Sequence, residues 1–170
     1  DVNGTESGVV RVYEYDPSVD VSWNQRGQDI SGEAKFDKSG YSVSLNDDGT
    51  IVAIGAIGND DNGGEAGHVR VYEYDPSYNI WEQLGDDIDG NAGELSGTSV
   101  SLSSDGKTVA VGAPARHNNN EIAGHVRIYQ LNNSGAWDKV GDDIDGEVAG
   151  DQFGESVSIS SDGKTVAIGA

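Results

Sequence analysis

One stretch of text occurs three times in this chain. Residues 40–56 read GYSVSLNDDGTIVAIGA, residues 97–113 read GTSVSLSSDGKTVAVGA, and residues 154–170 read GESVSISSDGKTVAIGA. Within them Asp48, Asp105 and Asp162 stand 57 residues apart each time. A fixed period of this length marks a repeat architecture, in which one small unit is copied and stacked. Each copy predicts a β-hairpin. Val43, Leu45 and their equivalents alternate with serines, as a strand with two unlike faces requires. Asp-Gly tolerates positive φ and predicts a tight turn. A second β-branched run, such as Thr108-Val109-Ala110-Val111, then returns beside the first.

The text between the copies is also periodic. Residues 9–15, 68–74 and 125–131 read VVRVYEY, HVRVYEY and HVRIYQL. Both faces of these runs are apolar or aromatic, which predicts strands covered on both sides. Turn residues follow: Asp16-Pro17-Ser18, Asp75-Pro76-Ser77 and Asn132-Asn133-Ser134-Gly135. A short strand is then expected to open at Trp23, Trp81 or Trp137 and to close at Gly27, Gly85 or Gly141. A polar loop, for example GDDIDGEVAGDQFG, leads to the next copy.

One period therefore holds four short strands, here lettered A to D, and no helical periodicity. Four-stranded units with polar loops predict an all-β fold built from β-propeller blades of four antiparallel strands. A parallel β-helix has far shorter rungs, and a β-sandwich gives no reason for near-identical loops. The expected division is a partial blade at 1–39 (strands C and D with a loop), blades at 40–96 and 97–153, and a partial blade at 154–170 (strands A and B). That makes about three repeats of roughly 57 residues, as an incomplete ring or a segment of a longer array.

Three motifs resemble the FG-GAP repeats of the integrin α-subunit propeller. Phe153-Gly154-Glu155-Ser156-Val157 is similar to the FG-x-S-V opening, Val109-Ala110-Val111-Gly112-Ala113-Pro114 to the GAP close, and Gly124-His125-Val126-Arg127-Ile128-Tyr129 to the third strand. The resemblance is strongest to the acidic, secreted repeats of marine microbes and algae, and it implies the blade order A, B, C, D. Two of the three FG positions are Ser39-Gly40 and Ser96-Gly97. The family's calcium loop, D-x-[DN]-x-D-G-x-x-D, is not met. Aligned on Asp105-Gly106 the chain offers Ser101, Ser103 and Val109, too few oxygens for calcium. Asp48, Asp105 and Asp162 are therefore read as turn residues, and no metal is expected at that loop.

Charge decides what else the chain is suited to. It carries 30 acidic and 10 basic residues, a net −20 at pH 7. Such a field repels nucleic acid and anionic membranes and attracts cations. No run approaches the roughly 18 apolar residues of a membrane span. There is no cysteine, so disulfides and thiolate metal sites are excluded. The chain begins at Asp1 and holds no Met, and is expected to be a processed or excised piece of a longer protein.

The acidic loops are expected to share one rim, since B–C and D–A connections emerge at the same end of a blade. Asp86, Asp87, Asp89, Asp142, Asp143 and Asp145 are the candidate Ca²⁺ ligands there, beside Asp60, Asp61, Glu65, Glu94, Glu147 and Asp151. Turn and strand-end capping is the competing role for them. His68 and His125 recur at matching strand starts and are read as packing residues; His117 is expected in a loop. The sequons Asn3-Gly4-Thr5 and Asn132-Asn133-Ser134 make Asn3 and Asn132 candidate glycosylation sites on exposed turns. No serine sits in a nucleophile elbow and no acid–base pair breaks the repeat, so an enzyme is not expected. The expected role is an extracellular or cell-surface repeat module, scaffolding, adhesive or fibre-forming, that associates through blade edges with itself or with neighbouring repeats. A propeller using calcium to hold a protein or glycan is the alternative.

Overall fold

A computed structural model describes residues 3–18, 23–115, 117–118 and 121–170. All regular structure among them is β-strand. β1 (Val9–Tyr15) and β2 (Trp23–Ser31) form an antiparallel pair. β3 (Ser42–Leu45), β4 (Ile51–Ala56), β5 (His68–Asp75) and β6 (Ile80–Gln83) form an antiparallel meander, and β7 (Ile88–Asp89) returns to β5. β8 (Ser99–Leu102) and β9 (Thr108–Ala113) open the next sheet. A small hairpin of β10 (His117–Asn118) and β11 (Glu121–Ile122) follows, so His117 lies in a strand of the B–C connection. β12 (His125–Leu131), β13 (Trp137–Lys139) and β14 (Ile144–Asp145) complete that sheet. β15 (Ser156–Ile159) and β16 (Val166–Gly169) pair alone.

No sheet has a core of its own; each gains one from the sheets beside it. Val10, Val12 and Ile30 of the first sheet pack on Val52, Ile54 and Trp81 of the second. On the other side, Ile51, Val69, Val71 and Ile88 pack on Val100, Leu102, Val109 and Val111 of the third. β4 and β9 lie between two layers, and all six residues of each are buried. Burying one such Val or Ile side chain stabilises by about 1.5–3 kcal/mol, so these strands hold most of the apolar gain.

Two local expectations are corrected. The A–B turn is a longer loop in which the glycine alone takes positive φ, as at Gly49 (φ 67), Gly106 (φ 69) and Gly163 (φ 69). The preceding aspartate caps instead: Asp48, Asp105 and Asp162 accept from the backbone N–H of Thr50, Lys107 and Lys164. The D strand does not end at its glycine. Gly27, Gly85 and Gly141 adopt positive φ (74, 79 and 73), the extra residues bulge outward, and the chain then pairs with strand C again. In the first two sheets the isoleucine that follows explains this, because burial of Ile30 and Ile88 draws the strand back onto the sheet.

The B–C and D–A connections do meet at one end. Phe36, Lys38 and Ser39 donate backbone N–H groups to Thr5, Glu6 and Ser7 at 3.0 Å each, and Gly93, Leu95 and Ser96 donate likewise to Gly64, Glu65 and Ala66. This ladder satisfies loop backbone that would otherwise be stranded beside the core.

Candidate functional site

The charged side chains concentrate where one sheet meets the next. The third residue of each C strand is an arginine, and the second residue beyond each D-strand glycine is an aspartate. Arg11 Nε and Nη2 donate to Asp29 at 2.9 and 2.7 Å. Arg70 donates to Asp87 at 3.0 and 2.8 Å, and Arg127 to Asp143 at 3.1 Å from each nitrogen. Two of these arginines also reach an acid on the preceding sheet's D–A loop. Arg70 Nη2 pairs with Glu33, and Arg127 donates to both oxygens of Glu94 at 2.8 and 3.2 Å. A planar guanidinium suits such two-sided recognition. It clamps adjacent sheets where the apolar core ends.

Burial separates the three pairs. Arg11 and Asp29 keep 48 and 40 % of their side-chain exposure, whereas Arg127 and Asp143 keep 13 % each. Hydrogen bonds from Arg11 and then Gln25 hold the exposed Asp29 carboxyl down to about 2. Burial alone would push Asp87 and Asp143 up, but hydrogen bonds from Arg70, and from Arg127 and Lys139, outweigh it and hold both below the usual carboxylate range. Burial pushes the His68 imidazole down, with the Arg70 charge adding to it. His68 and His125 are both buried at the sheet-to-sheet contact.

The six aspartates proposed as a calcium rim are dispersed. Asp87 and Asp143 face the arginines. Asp89 and Asp145 lie in β7 and β14, opposite His68 and His125, and not in loops. Asp86 and Asp142 are exposed at the bulges. Among the described residues, only Asp87 of the six falls in a group of three metal-type ligands, with Glu33 and His68, their ligand atoms within 4.8 Å of one another. The Arg70 guanidinium contacts both carboxylates of that group. Several other loop acids cap backbone: Asp60 accepts from Glu65 N–H at 2.8 Å, Glu94 from Asn91 N–H at 2.9 Å and Asp151 from Val148 N–H at 3.1 Å. Of the two sequon asparagines, Asn3 donates to the Gly32 carbonyl at 2.7 Å, and Asn132 Oδ1 accepts from Ser134 N–H at 2.8 Å in the C–D turn.

A second set of contacts joins the sheets through neutral groups. Trp81 Nε1 donates to the Arg26 carbonyl at 2.7 Å, and Trp137 Nε1 to the Leu84 carbonyl at 2.8 Å. Each indole lies over the next glycine of the facing D strand. A Cβ on Gly27 would stand 2.6 Å from Trp81, and one on Gly85 2.8 Å from Trp137. Ser42 and Ser99 Oγ donate to the carbonyls of Gly97 and Gly154 at 2.7 Å, and Ser44 and Ser101 Oγ accept from the N–H of Leu102 and Ile159 at 3.0 Å. The polar face of strand A is thus a sheet-to-sheet seam. The serine alternation was legible in the sequence, but its partners sit a whole repeat away. The recurring Arg and Asp at matched offsets were an equally available signal for the clamps.

Residues 31–72 match the FG-GAP repeat family. No curated protein sequence matches the chain. Solved structures match over nearly its whole length. One is a protein of Bacteroides uniformis assigned as a 6-phosphogluconolactonase, with TM-score 0.59 and 16 % identity, matched over 95 % of this chain and 41 % of that one. Another is a protein of Bacteroides fragilis with the same assignment, with TM-score 0.55 and 14 % identity over 97 and 37 %. A third is the periplasmic gluconolactonase of Pseudomonas aeruginosa, with TM-score 0.52 and 18 % identity over 93 and 42 %. The chain spans about two fifths of the length of these structures. At such identities the likeness shows the fold: an all-β, propeller-like stack of antiparallel sheets. It also corrects the expectation that the chain is not an enzyme. Proteins with lactonase names share this fold, so uniform repeats are no ground for excluding catalysis.

Proposed function

We propose that the chain is a repeat module of an extracellular or cell-surface protein, with a scaffold, adhesive or fibre-forming role, that associates through the edges and faces of its sheets. The supporting observation is the use made of charge. Arg70 and Arg127 each join an acid of their own sheet to an acid of the preceding one. Polar groups that a binding cleft would leave open are spent on stacking. Asn3 and Asn132, in a loop and a turn, fit the same setting as glycosylation sites.

The second reading is calcium-assisted binding of a protein or glycan. It is favoured by Asp89, whose carboxyl is pushed up first by burial and then by the Asp87 charge, a spot that a cation would relieve. Thermal unfolding in millimolar Ca²⁺ and then in EDTA separates the two. Under the scaffold reading the midpoint stays put in both. A gain in Ca²⁺ that EDTA reverses transfers the assignment to the second reading. The same fold carries proteins named as lactonases, and hydrolysis of a gluconolactone by the purified chain is the assay that would add catalysis to the scaffold role.

A further inference from the structure

His68 opens β5 at the contact between the first two sheets and keeps 3 % of its exposure. Its Nδ1 is buried and has no hydrogen-bond partner among the described residues. A buried polar atom is ordinarily paired, and one left bare costs free energy. This one is aimed at acids. Asp87 Oδ2 lies 3.7 Å from it, beyond the roughly 2.7–3.2 Å of a hydrogen bond. Glu33, from the D–A loop of the first sheet, completes a group whose three ligand atoms lie within 4.8 Å of one another. Two ligands of one tetrahedral ion stand about 3.3 Å apart when each bond is about 2.0–2.1 Å long. The spacing of His68 and Asp87 is therefore closer to that of two ligands on one ion than to that of a direct pair.

Arg70 does not fill the site. Asp87 Oδ1 accepts from Arg70 Nε at 3.0 Å and from Gln83 at 2.6 Å, which uses both its lone pairs. Among the described residues Oδ2 accepts from Arg70 Nη2 alone, at 2.8 Å, and keeps a lone pair for the His68 side. Arg70 also pairs with Glu33, and Asp89 stands opposite His68 across the sheet. Three carboxylates less one guanidinium leave a charge of −2, which one divalent cation removes. Burial first, and then the Arg70 charge, hold the His68 pKa below its ordinary value, so the imidazole is neutral, as a metal ligand must be. The next sheet contact is built differently. Glu94 there takes two donors on each oxygen, from Asn91 and Arg127, and keeps 6 % of its side-chain exposure. Glu33 keeps 40 %, which gives an ion a way in and the carboxylate room to close on it.

We propose that Glu33, His68 and Asp87 bind one divalent ion of the Zn²⁺ class, through an imidazole nitrogen and two carboxylate oxygens, with the fourth position open to water. A nitrogen ligand and three protein donors favour Zn²⁺ over Ca²⁺, which takes about 6–8 oxygens. Arg70 supports the two carboxylates from behind, as outer hydrogen bonds do at metal sites. The ion ties the D–A loop of the first sheet to β5 and to the Asp87 bulge of the second. This site goes beyond both readings above, since it takes a different ion and does not depend on Ca²⁺.

The test is calorimetric titration of ZnCl2 into the chain after metal has been stripped from it. The expected result is one ion per chain. The thermal midpoint should rise by about 5 °C or more once zinc is about a hundredfold above its Kd. Glu33→Gln, at an exposed position, is expected to weaken binding about tenfold or more, and His68→Gln likewise. His117→Gln, on the small hairpin of another connection, leaves binding unchanged. Glu33→Gln decides the matter if the buried His68→Gln fails to fold. No binding up to about millimolar zinc overturns the site, and so does binding that survives Glu33→Gln or is lost with His117→Gln.

Discussion

Thr108–Ala113 and residues 165–170 carry almost the same text, TVAVGA and TVAIGA, yet they live in different surroundings. Each follows the same Asp-Gly turn and pairs with the same kind of A strand. Strand β9 is buried at every residue, while β16 is buried at none. Trp81 and Trp23 repeat the contrast, at 3 and 67 % exposure, and so do Leu102 and Leu45, at 7 and 48 %. The local sequence makes the hairpin in both places. The neighbouring sheet supplies the burial, and therefore most of the stability.

The contrast can be broken at its strongest point first. In urea unfolding of the monomer, Trp81→Ala is expected to cost about 3–5 kcal/mol, as for a buried aromatic, and Trp23→Ala to stay within about 0.5 kcal/mol. Similar costs for the two would mean that the sheets do not depend on one another. Next, Leu102→Ala should lose about 2–4 kcal/mol and Leu45→Ala well under half of that, read by the same midpoint shift.

The polar clamps give a smaller effect. Glu94→Gln leaves Arg127 with one acid at a buried contact and should cost about 1–3 kcal/mol. Asp29→Asn, on the exposed Arg11 pair, should shift the same midpoint less than Glu94→Gln does, because solvent screens that pair.

The smallest expected effect is on pH dependence. His68 has its pKa lowered below 6.5 in the folded chain, chiefly by burial. The unfolded chain then binds more protons just below pH 6.5, so stability is full above that pH and falls as pH drops toward the folded value. A second loss begins below about pH 4, where the aspartates of the unfolded chain take up protons while Asp87 and Asp143, held low by their arginines, do not yet do so in the folded one. Replacing His68 by Val, the residue at the matching position 9, should flatten the first step and leave the second.

Part of this was readable in the sequence for clear physical reasons. Alternation at Ser42–Leu45 and the apolar run at Ile51–Ala56 each act within a few residues, and they foretold the A and B strands in order. The return of the D strand at Ile88 was hidden, because Gly85-Asp86-Asp87 has the composition of a turn and only burial of Ile88 brings the chain back. The clamp of Arg127 onto Glu94 was hidden because its partner lies 33 residues upstream on another sheet. For the same reason Asp87 and Asp143 looked like open metal ligands when their charge is already matched by arginine. The enzyme question was misjudged because uniformity of repeats was taken to exclude catalysis, and proteins with lactonase names share the fold.

Amide hydrogen exchange of β9 against β16 is the most direct test, since the two strands share a sequence and differ in their neighbours. Measured at concentrations where the chain is monomeric, stacking predicts exchange in Val109–Val111 slower by more than about tenfold than in the matching residues of β16. Equal protection in the two strands would show that each hairpin holds itself together, and would contradict stabilisation by the adjoining sheet.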